Sequence, residues 1–236
     1  MSISSFITRL PHRVFWLADE VLRGRVETLA AKRPVLLNIA ILCLMVVCGL
    51  GYGAVMGSYA ESISAIRPTQ VLYSATKVPL LLLATFALSL PSFYVANTML
   101  GLHADFGRAL RALLSAQSAL TLVLAGLAPL TLFWYGCGAT YGQALAFNSL
   151  MFGLSSLSVQ VLLKRLYRPL IERDSRHAWM VRVWLVIYTF IGIQMGWVLR
   201  PFIGSPKLGT AFLREEAWGN AYLEIFDLFY RSFFVG

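Results

Sequence analysis

"VLLNIAILCLMVVCGLGYGAVMGSY", Val35 to Tyr59, contains no Asp, Glu, Lys, Arg or His. Crossing the roughly 30 Å hydrocarbon core of a bilayer takes about 20 apolar residues of helix. A helix closes its own backbone hydrogen bonds, which lipid cannot do for it. The stretch is therefore predicted to span a membrane. It also sets Gly49, Gly53 and Gly57 at every fourth position. Such a row lies on one helix face and lets another backbone come close. The spacing fits helix packing inside the chain and a subunit interface alike.

Four more stretches are free of ionisable residues over a similar length: Val78–Leu102, Ala112–Gly136, Ala139–Leu163 and Val183–Leu199. The 236-residue chain is 58% hydrophobic and 13% charged, with mean hydropathy +0.69. A soluble domain has too little interior to hide that much apolar surface. The predicted fold is all-α, a polytopic membrane bundle of five transmembrane helices (35–59, 78–102, 112–136, 139–163 and 183–199). Residues 1–34 form a basic segment before it, and residues 200–236 a loop and helix after it. The first apolar run begins too late for an ordinary cleaved signal peptide, so it is read as an uncleaved span.

The net charge of +9 follows the positive-inside rule. With five spans, one side of the membrane holds fourteen of the 20 Lys and Arg. Six precede the first span. Arg108 and Arg111 lie between spans two and three, and six more lie in 164–182. This predicts a cytoplasmic N-terminus and a periplasmic C-terminus in a bacterial inner membrane. The charge points to anionic lipid headgroups as partner and not to nucleic acid. Cys43, Cys48 and Cys137 form no CxxC pair and read as small apolar fillers.

Residues 11–32 read as an amphipathic helix on the inner surface. Val14, Phe15, Ala18, Val21, Leu22, Val26 and Leu29 fall on one side, with Asp19, Glu20, Arg23 and Glu27 on the other. Arg25 falls within the apolar arc and is expected to snorkel to headgroups. In span two, Pro91 within "SLPS" predicts a kink, with Ser89 and Ser92 able to satisfy freed carbonyls. Pro169 is expected to end span four. That span is the most polar, with Gln143, Asn148, Ser149, Ser155, Ser156, Ser158 and Gln160. Those side chains either bond to other helices or line a hydrophilic path.

Span five carries Gly192 and Gly196 at the spacing seen in span one, then ends in "RPFIGSP". Arg200 is expected at headgroup level, and Pro201, Gly204 and Pro206 stop the helix so that the rest stays at the surface. In the tail, Asn220, Glu224, Asp227 and Arg231 make a polar stripe. Trp218, Tyr222, Phe226, Phe229 and Phe233 make an aromatic face, read as an outer partner-binding helix.

No charged residue falls inside a predicted span, which removes the usual marks of proton relays and ion-coupled carriers. His12, His103 and His177 offer no metal-ligand spacing, and no Walker, GxSxG or HExxH motif occurs. The expectation is a protein without enzymatic activity, cofactor or metal. "YSATKVPLLLLATFALSLPSFYVANTMLG" (Tyr73–Gly101), "LAPLTLFWY" (Leu127–Tyr135) and "FIGIQMGWVLRPFIGSP" (Phe190–Pro206) together resemble a family of uncharacterised bacterial multi-pass membrane proteins, somewhat similar to the Yip1-like five-span proteins. The resemblance covers roughly residues 35–225. It implies five spans and, through the Yip1-like proteins, a part in membrane organisation, and it carries over no functional residue. The leading functional expectation is a structural or assembly subunit bound to other membrane proteins. The alternative is a channel or permease component that moves a small solute or lipid past span four.

Overall fold

The computed structural model describes residues 14–26, 34–60, 65–205, 209–214, 219 and 222–223. Among these there is no β-strand. Five helices are long and apolar enough to cross a membrane: α1 (Pro34–Gly57), α2 (Pro68–Met99), α3 (Phe106–Gly136), α4 (Tyr141–Arg173) and α5 (Arg176–Val198). Short links alternate between the two ends of the bundle. The ends are named here for Asp105, at the start of α3, and Arg200, just past α5.

Four of the helices overrun the predicted windows where the chain becomes charged. α2 begins at Pro68, three turns before the expected start, and takes in Lys77. α4 continues through Pro169 to Arg173, and α5 starts at Arg176, so 164–182 is almost all helix and no loop. The physical reason is that Lys and Arg end a hydropathy window while being good helix formers. Pro169 costs the helix one backbone donor and does not end it.

The helices pack in the spatial order α5, α2, α1, α3, α4, with α4 and α5 touching lightly across the remaining gap. Of the most apolar window of each helix, 56% is buried in α3 but 11% in α5, so α3 is the centre and α5 the periphery. In lipid, close contact and interhelical hydrogen bonds hold such a bundle, since lipid tails are as apolar as the core. The glycine row of α1 is the tightest seam. A Cβ on Gly53 would lie 2.4 Å from the Ser74 carbonyl oxygen, and one on Gly57 2.7 Å from Val71 Cα. A Cβ on Gly49 would lie 3.3 Å from Pro79. This face of α1 is thus covered by α2 of the same chain. Gly192 meets Thr85 of α2 in ordinary contact, whereas nothing lies within 4 Å of a Cβ on Gly196.

Among the described residues three positive-φ glycines follow helices, Gly24, Gly101 and Gly138, and two of them close a full Schellman pair. Gly101 (φ 71°) follows α2, and its N–H donates to Thr98 O while Leu102 N–H donates to Asn97 O, the Schellman arrangement. Gly24 (φ 70°) does the same after helical residues 14–23, with Gly24 N–H on Val21 O and Arg25 N–H on Glu20 O. The helix expected over 11–32 therefore breaks at Gly24. Val21 and Val26 are buried and Gly24 sits on Leu162 and Leu166 of α4, while Phe15 and Leu22 stay exposed. Glu20, assigned above to the polar face, is buried and accepts a 2.8 Å hydrogen bond from Arg25.

Candidate functional site

The chain after α5 does not leave the bundle. Gln70, Ser74 and Lys77 recur at i, i+4 and i+7 on one face of α2, and all three are buried. Groups this polar need partners at membrane depth. They find them in the irregular segment after α5. Lys77 Nζ donates to Pro201 O at 2.7 Å. The Ser74 hydroxyl donates to Phe202 O, and Gln70 Nε2 reaches the same oxygen at 3.5 Å. Leu199 and Ile203 are buried beside them. The Arg200–Pro201 peptide bond is cis. The Phe212 ring covers Lys77, with Nζ 5.0 Å from its centroid, and packs edge-on against Tyr73 at 5.2 Å.

This tether roofs an apolar groove of about 670 Å³ between α4 and α5. Leu81, Leu145, Phe152, Ile193 and Phe202 line it, with Arg200 and Arg214 at its rim. Its volume falls within the roughly 300–1,000 Å³ common for small-molecule sites. The Arg200 guanidinium is stacked on Trp197, 3.3 Å from the ring centroid, which fixes its plane. Asn148, also on the wall, is fully engaged. Its Oδ1 accepts from Tyr52 Oη at 3.0 Å, and its Nδ2 donates to Tyr135 Oη at 2.6 Å and Ala144 O at 2.8 Å. Phe152, the last α4 residue along the groove, meets Tyr52 edge-on, 5.6 Å between centroids.

The Asp105 end is built differently. Asp105 is buried and accepts from Arg108 at 2.9 Å and Arg173 at 2.8 Å, with His177 Nε2 3.6 Å away. Arg176 donates to Leu100 O at 2.6 Å, placing a cation at the C-terminus of α2. It also pairs with Asp174 at 2.7 Å, and this bond holds the Asp174 carboxyl down at about 2, below the usual 3.8. Above them Trp184 packs on Phe86, Phe93 and Tyr188, and Tyr188 donates to Gln117 at 2.8 Å.

Of the residues expected to line a polar path, Asn148 and Ser149 both line the groove, whereas Gln143 and Gln160 do not. Gln143 closes a capping box with Thr140 at the exposed turn before α4. Asn148 is held as described. Gln160 lies a further twelve residues along, about 18 Å at helical rise. Ser149 and Ser158 donate to carbonyls of their own helix, Leu145 and Leu154. Of the aromatic tail face, Tyr222 stacks on Phe190 at 4.5 Å and donates to Phe190 O. Trp218, Phe226, Phe229 and Phe233 lie outside the described residues. Arg25 pairs with Glu20 at 2.8 Å and Asp19 at 3.9 Å, and Arg200 stands at the groove rim. Among the described residues no group of His, Cys, Asp and Glu could hold a metal ion.

Sequence reasoning missed Lys77 and Arg214 as parts of one site. The i, i+4, i+7 spacing of Gln70, Ser74 and Lys77 was the available signal. No protein-family model matches the chain, and neither a curated protein nor a solved structure does.

Proposed function

We propose that this chain is a non-catalytic multi-pass subunit of a larger membrane assembly, and that α4 is the helix through which it docks. One observation carries the reading. Gly142, Ala146, Ser149, Gly153 and Ser156 share a side of α4, and all are exposed. A Cβ on Gly142 or Gly153 would meet nothing within 4 Å. Small residues at this spacing let a second backbone approach, and hydroxyls in hydrocarbon favour an interhelical partner. The glycine row of α1, by contrast, is occupied within the chain.

The distribution of Lys and Arg supports placing the Asp105 end in the cytoplasm and the Arg200 end across a bacterial cytoplasmic membrane. The likeness to Yip1-like proteins agrees with five spans and leaves the process open.

The test places a photo-crosslinking residue at Gly153 of the full-length tagged chain in native membranes, with Leu130 on α3, also lipid-exposed, as control. A discrete adduct from Gly153 alone, identified by mass spectrometry as another membrane protein, supports the reading. Identical adducts from both positions, or a lone chain after mild-detergent purification, overturn it.

A further inference from the structure

We propose that the groove between α4 and α5 is a binding site for one anionic phospholipid, its acyl chain in the groove and its phosphate between Arg200 and Arg214. The inference rests on the membrane reading and stands apart from the subunit proposal.

The length of the groove selects the ligand. On α4 its walls run from Tyr141 to Phe152. Eleven residues of helix rise about 16 Å, close to half of the roughly 30 Å hydrocarbon core. The groove therefore has the depth of one leaflet. A passage for a solute would have to continue past Phe152, and no residue of α4 beyond Phe152 lines the groove. A lipid tail ends at that depth.

Its lining selects the same class. Met56, Leu81, Leu145, Phe152, Ile193 and Phe202 present hydrocarbon, and Asn148 on the wall has both ends of its amide engaged by Tyr52, Tyr135 and Ala144. Gly196, with nothing within 4 Å of a Cβ, widens the groove on the α5 side. The opening is lateral, toward lipid, because α4 and α5 touch only lightly.

The rim adds the charge. Arg200 is held in plane by Trp197, and Arg214 follows Phe212, which is packed on Tyr73 and Lys77. Guanidinium groups match phosphate oxygens in geometry and charge. Two of them at the headgroup end of a one-leaflet groove complement an anionic headgroup better than a zwitterionic one.

The test is native mass spectrometry of the full-length chain released from nanodiscs of phosphatidylglycerol and phosphatidylcholine in equal amounts. One retained phosphatidylglycerol per chain is expected. In the double variant Arg200→Gln, Arg214→Gln, the preference should fall about thirtyfold, given about 1 kcal/mol for each of the two cations near a surface. Gly196→Phe fills the groove from a position with open space and should abolish retention of either lipid. Its melting temperature in lipid-free detergent should stay at the wild-type value, which separates a filled groove from a damaged fold. Retention unchanged in both variants overturns the proposal. So does a chain ending at Leu223 that gains a lipid the full-length chain lacks, since the groove would then be filled by residues 224–236.

Discussion

Along α5, His177, Met180, Val181 and Trp184 are buried, and no later residue of the helix is. The first two turns and a half are clamped at the Asp105 end by ion pairs and aromatic rings. From Leu185 onward none of its residues is buried, and Ile193 and Gly196 line the groove. What differs is the chemistry of attachment. The Asp105 end is held mainly side chain to side chain, with Arg176 also on the Leu100 carbonyl, whereas the Arg200 end binds α2 side chains to two backbone carbonyls beyond the last helix. The first kind of attachment closes a bundle, and the second holds the end of a helix while leaving its flank open to lipid.

Breaking the closed end should have the largest effect. Trp184→Ala removes a buried ring from between Phe86, Phe93 and Tyr188 and should cost about 3–5 kcal/mol. Phe190→Ala, on the open half and 59% exposed, should cost about 1 kcal/mol, the worth of its stack on Tyr222. Thermal unfolding in one detergent compares the two. Equal losses would mean that α5 is held evenly along its length.

The next effect tests whether openness is confined to the α4–α5 flank. Gly53→Leu drives a side chain into the Ser74 carbonyl and should cost about 3 kcal/mol. Gly51→Leu, where a Cβ meets nothing within 4 Å, should leave the melting temperature unchanged. A Gly53→Leu variant as stable as wild type would show a loose α1–α2 seam and an end that is open all round.

The smallest effect is acid-dependent. The Asp174 carboxyl is depressed to about 2 by Arg176. A depressed carboxylate stabilises the folded state above its ordinary value near 3.8, and that contribution is lost as pH falls through about 2. Opening of the α4–α5 link, read from hydrogen exchange corrected for the intrinsic pH dependence of the amide rate, should therefore rise between pH 4 and pH 2 in the wild type. In Asp174→Asn it should be raised already and flat over that interval. A wild-type profile that is flat as well would remove Asp174 from the attachment of α5.

The five helices were legible because absence of charge over twenty residues has few other causes in a chain this apolar. Their ends were less so. Lys77 reads as loop in a hydropathy window, yet it lies about two and a half turns inside α2, and the carbonyl of Pro201 with the ring of Phe212 explains how a cation is accommodated there. The glycine row of α1 was visible as a packing face, but spacing carries no information on which helix fills it. The groove could not be read at all. Its walls come from α1, α2, α4 and α5, and its existence depends on how far two helices separate.

The tether has a consequence for how the protein is made. Lys77 and Pro201 are 124 positions apart in the chain, so α2 is synthesised long before its acceptors. Until the chain beyond α5 has been delivered, the ammonium of Lys77 and the hydroxyl of Ser74 lack the carbonyl oxygens of Pro201 and Phe202 that they bond in the finished fold. The polar face of α2 therefore waits, through the synthesis of three more helices, for the two carbonyls that complete it.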